Sequence, residues 1–238
     1  MTVLPDKLTP LSHDDLIAAL LGAFPKVFGR PPKLSMELAI YYGQCITENG
    51  ATLSALHCFD LGNVKATAQW SGDTCFYSCD ETVDAGLAKH AATLGPCELH
   101  PQPSGKVRVV CHPPHPWCLF RAFSTANEGA VAYLRIFGLT RYAQAALRAA
   151  AGDAVGFVEA AKQGGYFTAP DVSAYARCVA SIAAHANAAC VAAMAGQPAG
   201  ITDSDRERFT GLVALTTVES AEGALDGAEP FPLPPKIA

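Results

Sequence analysis

The chain has 238 residues, half of them hydrophobic and 16% charged, with a net charge of −5. That length and apolar content allow one large domain or two small ones with a sizeable core. The acidic balance and the absence of any Lys/Arg cluster argue against nucleic-acid binding; they leave a neutral or zwitterionic polymer such as a glycan open as a partner.

The start, "MTVLPDKLTPLSHDD", has no basic stretch followed by an apolar core, so no signal peptide is expected and synthesis is expected to end in the cytoplasm. Ser12 is an N-cap candidate for a first helix, with Asp14 and Asp15 in its opening turn and Leu16, Leu20, Ala23 and Phe24 on one face. Pro31 and Pro32 interrupt the chain. Ser35 then caps a second helix over about 35 to 48, ended by Gly50. Its apolar residues, Leu38, Ile40, Tyr41, Tyr42 and Ile46, read as core, yet its last turn carries Glu48. A negative charge there opposes the helix dipole, and burial of a carboxylate is costly unless it takes up a proton. Residues 52–66 read as short helix or irregular loop.

From about 67 to 118 Gly, Pro, Cys and aromatic residues rise and the helical period vanishes. "KVRVVCH" alternates weakly after the turn signal "PQPSG", so this stretch reads as a small inserted β-lobe closed by "PPHPWC". Helices return in "STANEGAVAYLRIFG", "TRYAQAALRAAAG" and "DAVGFVEAAKQGG". "YARCVASIAAHANAACVAAMAG" is long but Ala-rich and broken by Arg, His and Asn. It reads as one or two packed helices, with no membrane span expected. The end, about 229–238, is proline-rich and extended. The expected architecture is one mainly α (α+β) domain over 1–238, two helical parts around a Cys-rich β-lobe.

The nine cysteines include Cys75, Cys79, Cys97, Cys111 and Cys118 within one short region. Reduced thiols, a structural zinc and disulfides formed in an oxidising compartment all fit this pattern, whose spacing is looser than a double CxxC. Cys45, Cys178 and Cys190 read as small core residues. His112 and His115 near cysteines raise a Cys–His nucleophile, but the surrounding prolines make a loop, and nothing like a nucleophile-bearing helix start precedes a cysteine. No phosphate-binding Gly-rich loop is present.

"CITENG" followed by "FDLGNVKA" and Trp70 resembles the glutamate helix and "NLFGIKA…W" segment of bacterial peptidoglycan glucosaminidases, glycoside hydrolase family 73. "FRAFSTANEGAVAYL" is similar to that family's "FRxYxSxxE…YV". The stretch from "RYAQAAL" to "GYFTAPDVSAYARCV" is similar to its "RY…GD…F…AL…GYxT…YA" end. These matches fall in order over about residues 24 to 185. "VFGRPP", "CDE" and "PPHP" look closest to a phage-type or effector-type branch. Two departures stand out: "ENG" where the family has "ESG" or "ETG", and "GNVKA" for "GIKA".

The resemblance implies a lysozyme-like fold and cleavage of the β-1,4 GlcNAc/MurNAc strand of peptidoglycan, with Glu48 as general acid, beside Tyr41, Tyr42 and Ile46. For the second group the lobe offers Asp73, Asp80, Glu81 and Asp84, and Glu81 sits near where the family carries its acidic residue. Asn63, Trp70 and Tyr166 match its substrate cleft. Tyr175, Phe120, Phe123 and Tyr133 read as core, and Lys65 as structural or cleft-orienting. No cofactor and no catalytic metal are expected. Glucosaminidase and muramidase specificity stay open, as do a lytic transglycosylase and a non-catalytic wall-binding protein of the same fold. With no signal peptide expected, the protein is expected either to reach the wall by phage-type or secretion-machine delivery or to stay in the cytoplasm.

Overall fold

The computed structural model describes residues 2–67, 70–167 and 171–222, with side chains as far as residue 215. The proline-rich end lies outside the described residues. The chain opens with a short strand, β1 (Val3–Leu4), followed by α1 (His13–Phe28). Ser12 caps α1 as expected: its Oγ accepts the Asp15 N–H at 3.1 Å. Gly29, at φ 67°, ends it in the left-handed conformation that glycine adopts without a Cβ clash.

Helix α2 (Ser35–Asn49) is buried on nearly every side. Ser35 is its first residue and bonds Asn187 across the core at 2.8 Å, so it ties two helices together where a cap was expected. Leu34 occupies the cap position without a side-chain bond. Glu37, 1% exposed, is held by the Arg30 guanidinium at 2.7 and 2.9 Å and by the Lys33 N–H at 2.6 Å. A buried carboxylate is tolerated because its charge is paired and its lone pairs are used.

The lobe contains β2 (Thr74–Phe76), β3 (Cys79–Val83), α3 (Ala85–Leu94), β4 (Cys97–Pro101), β5 (Val107–Cys111) and β6 (Leu119–Arg121). It forms two three-stranded sheets, ordered β1-β2-β6 and β3-β5-β4. The N-terminal strand therefore belongs to the lobe, in parallel register with β2 (Val3 opposite Thr74), which the sequence did not reveal. Helix α3 is a second correction. Its buried face is only Ala88 and Ala91, too small to stand out in a Gly/Pro/Cys-rich stretch. The 52–66 segment is irregular, not helical.

Helices α4 (Ala126–Phe137), α5 (Ala143–Ala150), α6 (Ala154–Gln163), α7 (Val172–Met194) and α8 (Asp203–Glu222) complete the chain. By length and composition α7 could cross a membrane. Here it packs against α2, α6 and α8, with Tyr175, Cys178, Val179, Ile182 and Cys190 buried. No element was expected at α8, a polar helix anchored by Phe209 against His13 and Tyr42. The described residues thus hold a large helical core around α2 and α7 and a smaller lobe core of Cys58, Cys75, Tyr77, Cys79, Val109, Cys111, Cys118 and Phe120. The mainly α architecture with a small inserted β part is the one expected.

Candidate active site

Helices α2 and α7 cross tightly at Gly43, where a Cβ would come within 2.9 Å of the Val179 carbonyl oxygen. That approach brings the last turn of α2 against the first turn of α7. Gln44 and Glu48, four residues apart, share one face. Glu48 Oε1 accepts the Tyr175 hydroxyl at 2.6 Å and the Gln44 amide at 3.1 Å, while Gln44 also reaches the Tyr175 oxygen at 2.6 Å.

Glu48 is partly open to solvent, but its carboxyl is densely surrounded by protein. Burial raises its pKa; the bonds from Tyr175 and Gln44 pull the other way, and the nearby charge of Glu81 adds to the rise. Tyr41 and Tyr42 are not part of this environment. Tyr41 packs on Phe24, Phe137 and Phe157, and Tyr42 hydrogen-bonds His13 at 2.6 Å. Tyr175, read from the sequence as core, contacts the carboxyl instead. Replacing it with Phe removes a donor that favours the ionised form. The alkaline limb of a Glu48-dependent pH–rate profile is then expected to move up in Tyr175→Phe, with a rate loss of roughly tenfold from poorer orientation. A pH profile of the purified variant checks both.

Asn49 explains the "ENG" departure. Its Nδ2 donates to the Cys45 carbonyl at 2.9 Å and to the Leu61 carbonyl at 2.8 Å, fastening the helix end to the following loop. That loop carries non-glycine residues with positive φ at Leu53, Cys58, Phe59 and Asn63. Such backbone costs about 1 kcal/mol or more per residue and persists where surrounding bonds over-determine it. Here the Phe59 N–H donates to Thr9 Oγ1 at 2.7 Å, the Phe123 N–H to the Cys58 carbonyl at 2.9 Å, and the Val64 N–H to Asp60 Oδ2 at 2.8 Å.

Asp60 is buried, and its Oδ1 has no partner among the described residues. Burial pushes its pKa up to about 8, against bonds from the Val64 and Gly62 backbone and the charge of Arg121. A folded-state pKa above the unfolded one stabilises the fold at low pH, and this contribution is lost as pH rises from about 4 through about 8. Asp60→Asn keeps the Val64 bond without a titrating proton. It is expected to remove a decline of at most about 1.4 kcal/mol per pH unit in that window. Denaturant melts at pH 5 and pH 8 measure it; equal slopes in both proteins refute it.

In the lobe, β3 alternates so that Cys79 and Glu81 share a face. Lys65 Nζ lies 3.0 Å from Glu81 Oε1, 2.8 Å from Cys79 Sγ and 3.2 Å from the Trp117 carbonyl. Burial opposes the Lys65 charge, but Glu81 and Cys79 more than offset this and raise its pKa. Among the lobe acids, Glu81 is the one whose charge reaches Glu48. Asp80 pairs with Arg108 at the surface, Asp84 precedes α3, and the Asp73 carbonyl accepts the Trp70 indole N–H.

Asn63 is exposed beside Tyr77, whose hydroxyl lies 3.4 Å from both Asn63 Oδ1 and Asp60 Oδ2. Trp70 has Arg121 over its ring at 4.5 Å and Phe123 edge-on at 5.9 Å. Tyr166 packs its ring on Phe137 at 5.0 Å. Its hydroxyl is buried without a partner among the described residues, and burial followed by the charge of Glu48 raises its pKa. It stands behind the carboxyl as core. His115 is structural, with Nε2 on the Ala91 carbonyl at 3.0 Å and Nδ1 accepting the Trp117 N–H, and His112 pairs with Glu98.

The structure thus pairs Glu81 with Lys65, and the charge of Glu81 acts on Glu48, with Asn63 on the same loop as Lys65. It adds Tyr175 and Gln44. The Gln44–Glu48 spacing was a readable signal; Tyr175, 127 residues away from Glu48, had none.

No family model matches the chain, and no curated protein matches it. Among solved structures it is similar to the crystal structure of a peptidoglycan hydrolase mutant from Sphingomonas sp. A1, with 18% identity over 83% of this chain and 99% of that one and a TM-score of 0.45.

Proposed function

We propose that the chain is a lysozyme-like glycoside hydrolase acting on the β-1,4 strand of peptidoglycan. The observation that carries this reading is the buried Glu48 carboxyl at the end of α2, held by Tyr175 and Gln44. Burial pushes it toward its protonated form, and the charge of Glu81, which is paired with Lys65, adds to the rise. A carboxyl whose surroundings favour the protonated form suits the acid of glycoside cleavage, with a second carboxyl as base, nucleophile or cation stabiliser.

In this mechanism Glu48 donates its proton to the glycosidic oxygen as the bond breaks. Glu81 either activates water or stabilises the positive charge on the sugar ring. Tyr175 and Gln44 aim the Glu48 carboxyl and accommodate the charge it acquires. Asn63, on rigid positive-φ backbone, offers an amide to an N-acetyl or hydroxyl group. Cleavage falls on the alkaline side as Glu48 ionises.

The test is digestion of purified sacculi by the full chain, with soluble products read by mass spectrometry. New reducing ends on GlcNAc or MurNAc support hydrolysis and name the bond. 1,6-Anhydro ends show a transglycosylase using the same acid. Binding to sacculi with no new ends from an intact fold refutes the enzyme and leaves a wall-binding role. Such a substrate also requires delivery to the wall, by lysis or by a secretion machine.

A further inference from the structure

The sequence grouped Cys75 with Cys79, but the two lie on different strands with different partners. Cys79 faces Lys65. Cys75, in the middle of β2, meets Cys58 from the 50–66 loop and Asp6 from the segment after β1. One ligand atom from each, Sγ, Sγ and a carboxylate oxygen, lies within 4.8 Å of the other two. Cys58 and Cys75 are 5% and 0% exposed, whereas the Asp6 side chain is 40% exposed, so the cluster has a buried sulfur floor and one open side. His57 Nδ1 lies 2.7 Å from Asp6 Oδ1, and the His57 ring is stacked on Tyr77 at 4.2 Å. Both cysteines are free thiols.

We propose that Asp6, Cys58 and Cys75 form a zinc site, with His57 holding the Asp6 carboxylate and water supplying the fourth ligand. Two sulfurs and one carboxylate suit a borderline-soft divalent cation, and the set is too sulfur-rich for calcium or magnesium. In tetrahedral zinc–thiolate geometry the sulfurs stand about 3.8 Å apart, so each donor needs to shift by about 1 Å at most to ligate. A divalent cation would take both sulfurs as thiolates, with release of their two protons to solvent. An Asp–His contact of this kind is the usual outer support of a metal site.

The three donors come from three separate segments. The site would close the N-terminal strand and the 50–66 loop onto β2, fixing from behind the loop that presents Asn63 and Lys65. Its role is structural, with no ligand shared with Glu48, and it stands whether or not the chain cleaves glycan.

The test is zinc content of the full chain, purified with a phosphine reductant from zinc-supplemented medium and measured by mass spectrometry of the metal. The expected result is about one zinc per chain in wild type and in the control Cys190→Ser, falling at least tenfold in Cys58→Ser and Cys75→Ser. Asp6→Asn, at the surface, covers the case in which the cysteine variants do not fold; it is expected to fold and to release zinc to a chromogenic chelator faster than wild type. Cobalt(II) in place of zinc is expected to give a thiolate charge-transfer band in wild type that Cys75→Ser lacks. Wild type without stoichiometric zinc, zinc unaffected by the Cys58 and Cys75 changes, or a Cys58–Cys75 disulfide in the isolated chain would each overturn the proposal.

Discussion

Glu48→Gln is expected to lower glycan-strand cleavage by about 10³-fold while leaving the fold intact. Gln is isosteric, and its carbonyl oxygen can still accept the Tyr175 hydroxyl, so the contact between α2 and α7 survives. What disappears is the proton. The substitution also has a sign in stability. Because the Glu48 pKa is raised in the folded state, its favourable contribution is complete below the unfolded pKa and is lost as pH rises through the folded one. At pH 8 the Gln variant is therefore expected to melt no lower than wild type, and at a higher temperature if Glu48 ionises there. Sacculus digestion and thermal melts on the same preparations measure the two effects together. Cleavage within tenfold of wild type would remove Glu48 from the mechanism. A large loss of stability with the loss of activity would show that Glu48 serves the fold.

Gly129→Ala carries the largest expected structural effect, although Gly129 touches no group of the site. It lies in the first turns of α4, and a Cβ there would fall inside the van der Waals envelope of the Phe59 carbonyl oxygen. Phe59 cannot simply retreat. Its φ is +52°, its N–H is bonded to Thr9, and its neighbour Cys58 is bonded through its carbonyl to Phe123. One methyl group must displace either α4 or the whole 58–63 turn. Overpacking against backbone costs about 1–3 kcal/mol, and broken loop bonds add to it. Asp60, Asn63 and Lys65 follow on this turn, so cleavage is expected to fall together with stability. A control at Gly86, where a Cβ meets nothing within 4 Å, is expected to keep both. Denaturant midpoints and sacculus assays of the two alanine variants decide it; a Gly129→Ala protein as stable and active as the Gly86→Ala one would refute the close-contact argument.

The helical half of the fold was legible because its signals are local. Ser12 and Gly50 mark ends that the structure keeps, and the apolar face read for α1 at Leu16, Leu20, Ala23 and Phe24 is buried. The lobe was legible in texture but not in pairing. Nothing within "VLPDK" says that Val3 lies beside Thr74, since a two-residue strand has no period of its own. Alanine-faced α3 and polar α8 failed for the same reason, weak amphipathic contrast.

In the site, Glu48 was legible because a carboxylate in an apolar last turn conflicts with its surroundings, and such local conflict marks functional positions. Glu81 followed from the resemblance, and the structure places its charge within reach of Glu48. Trp70 and Tyr166 were chosen as flat faces for sugar, but flatness serves packing equally well. Arg121 covers one, and Phe137 backs the other. Tyr175 was passed over because its type is ordinary in a core helix. Only the crossing of α2 and α7 at Gly43 shows which of its atoms matters.

That crossing also sets an order of events during synthesis. The acid on α2 is complete only when Tyr175 arrives, 127 residues later in the chain. Long-range contacts of this kind are made late, because the intervening chain must first be closed into a loop. A nascent or truncated chain that stops short of α7 would hold Glu48 without its hydroxyl partner. On the proposed function, full activity is thereby tied to completion of the helical core.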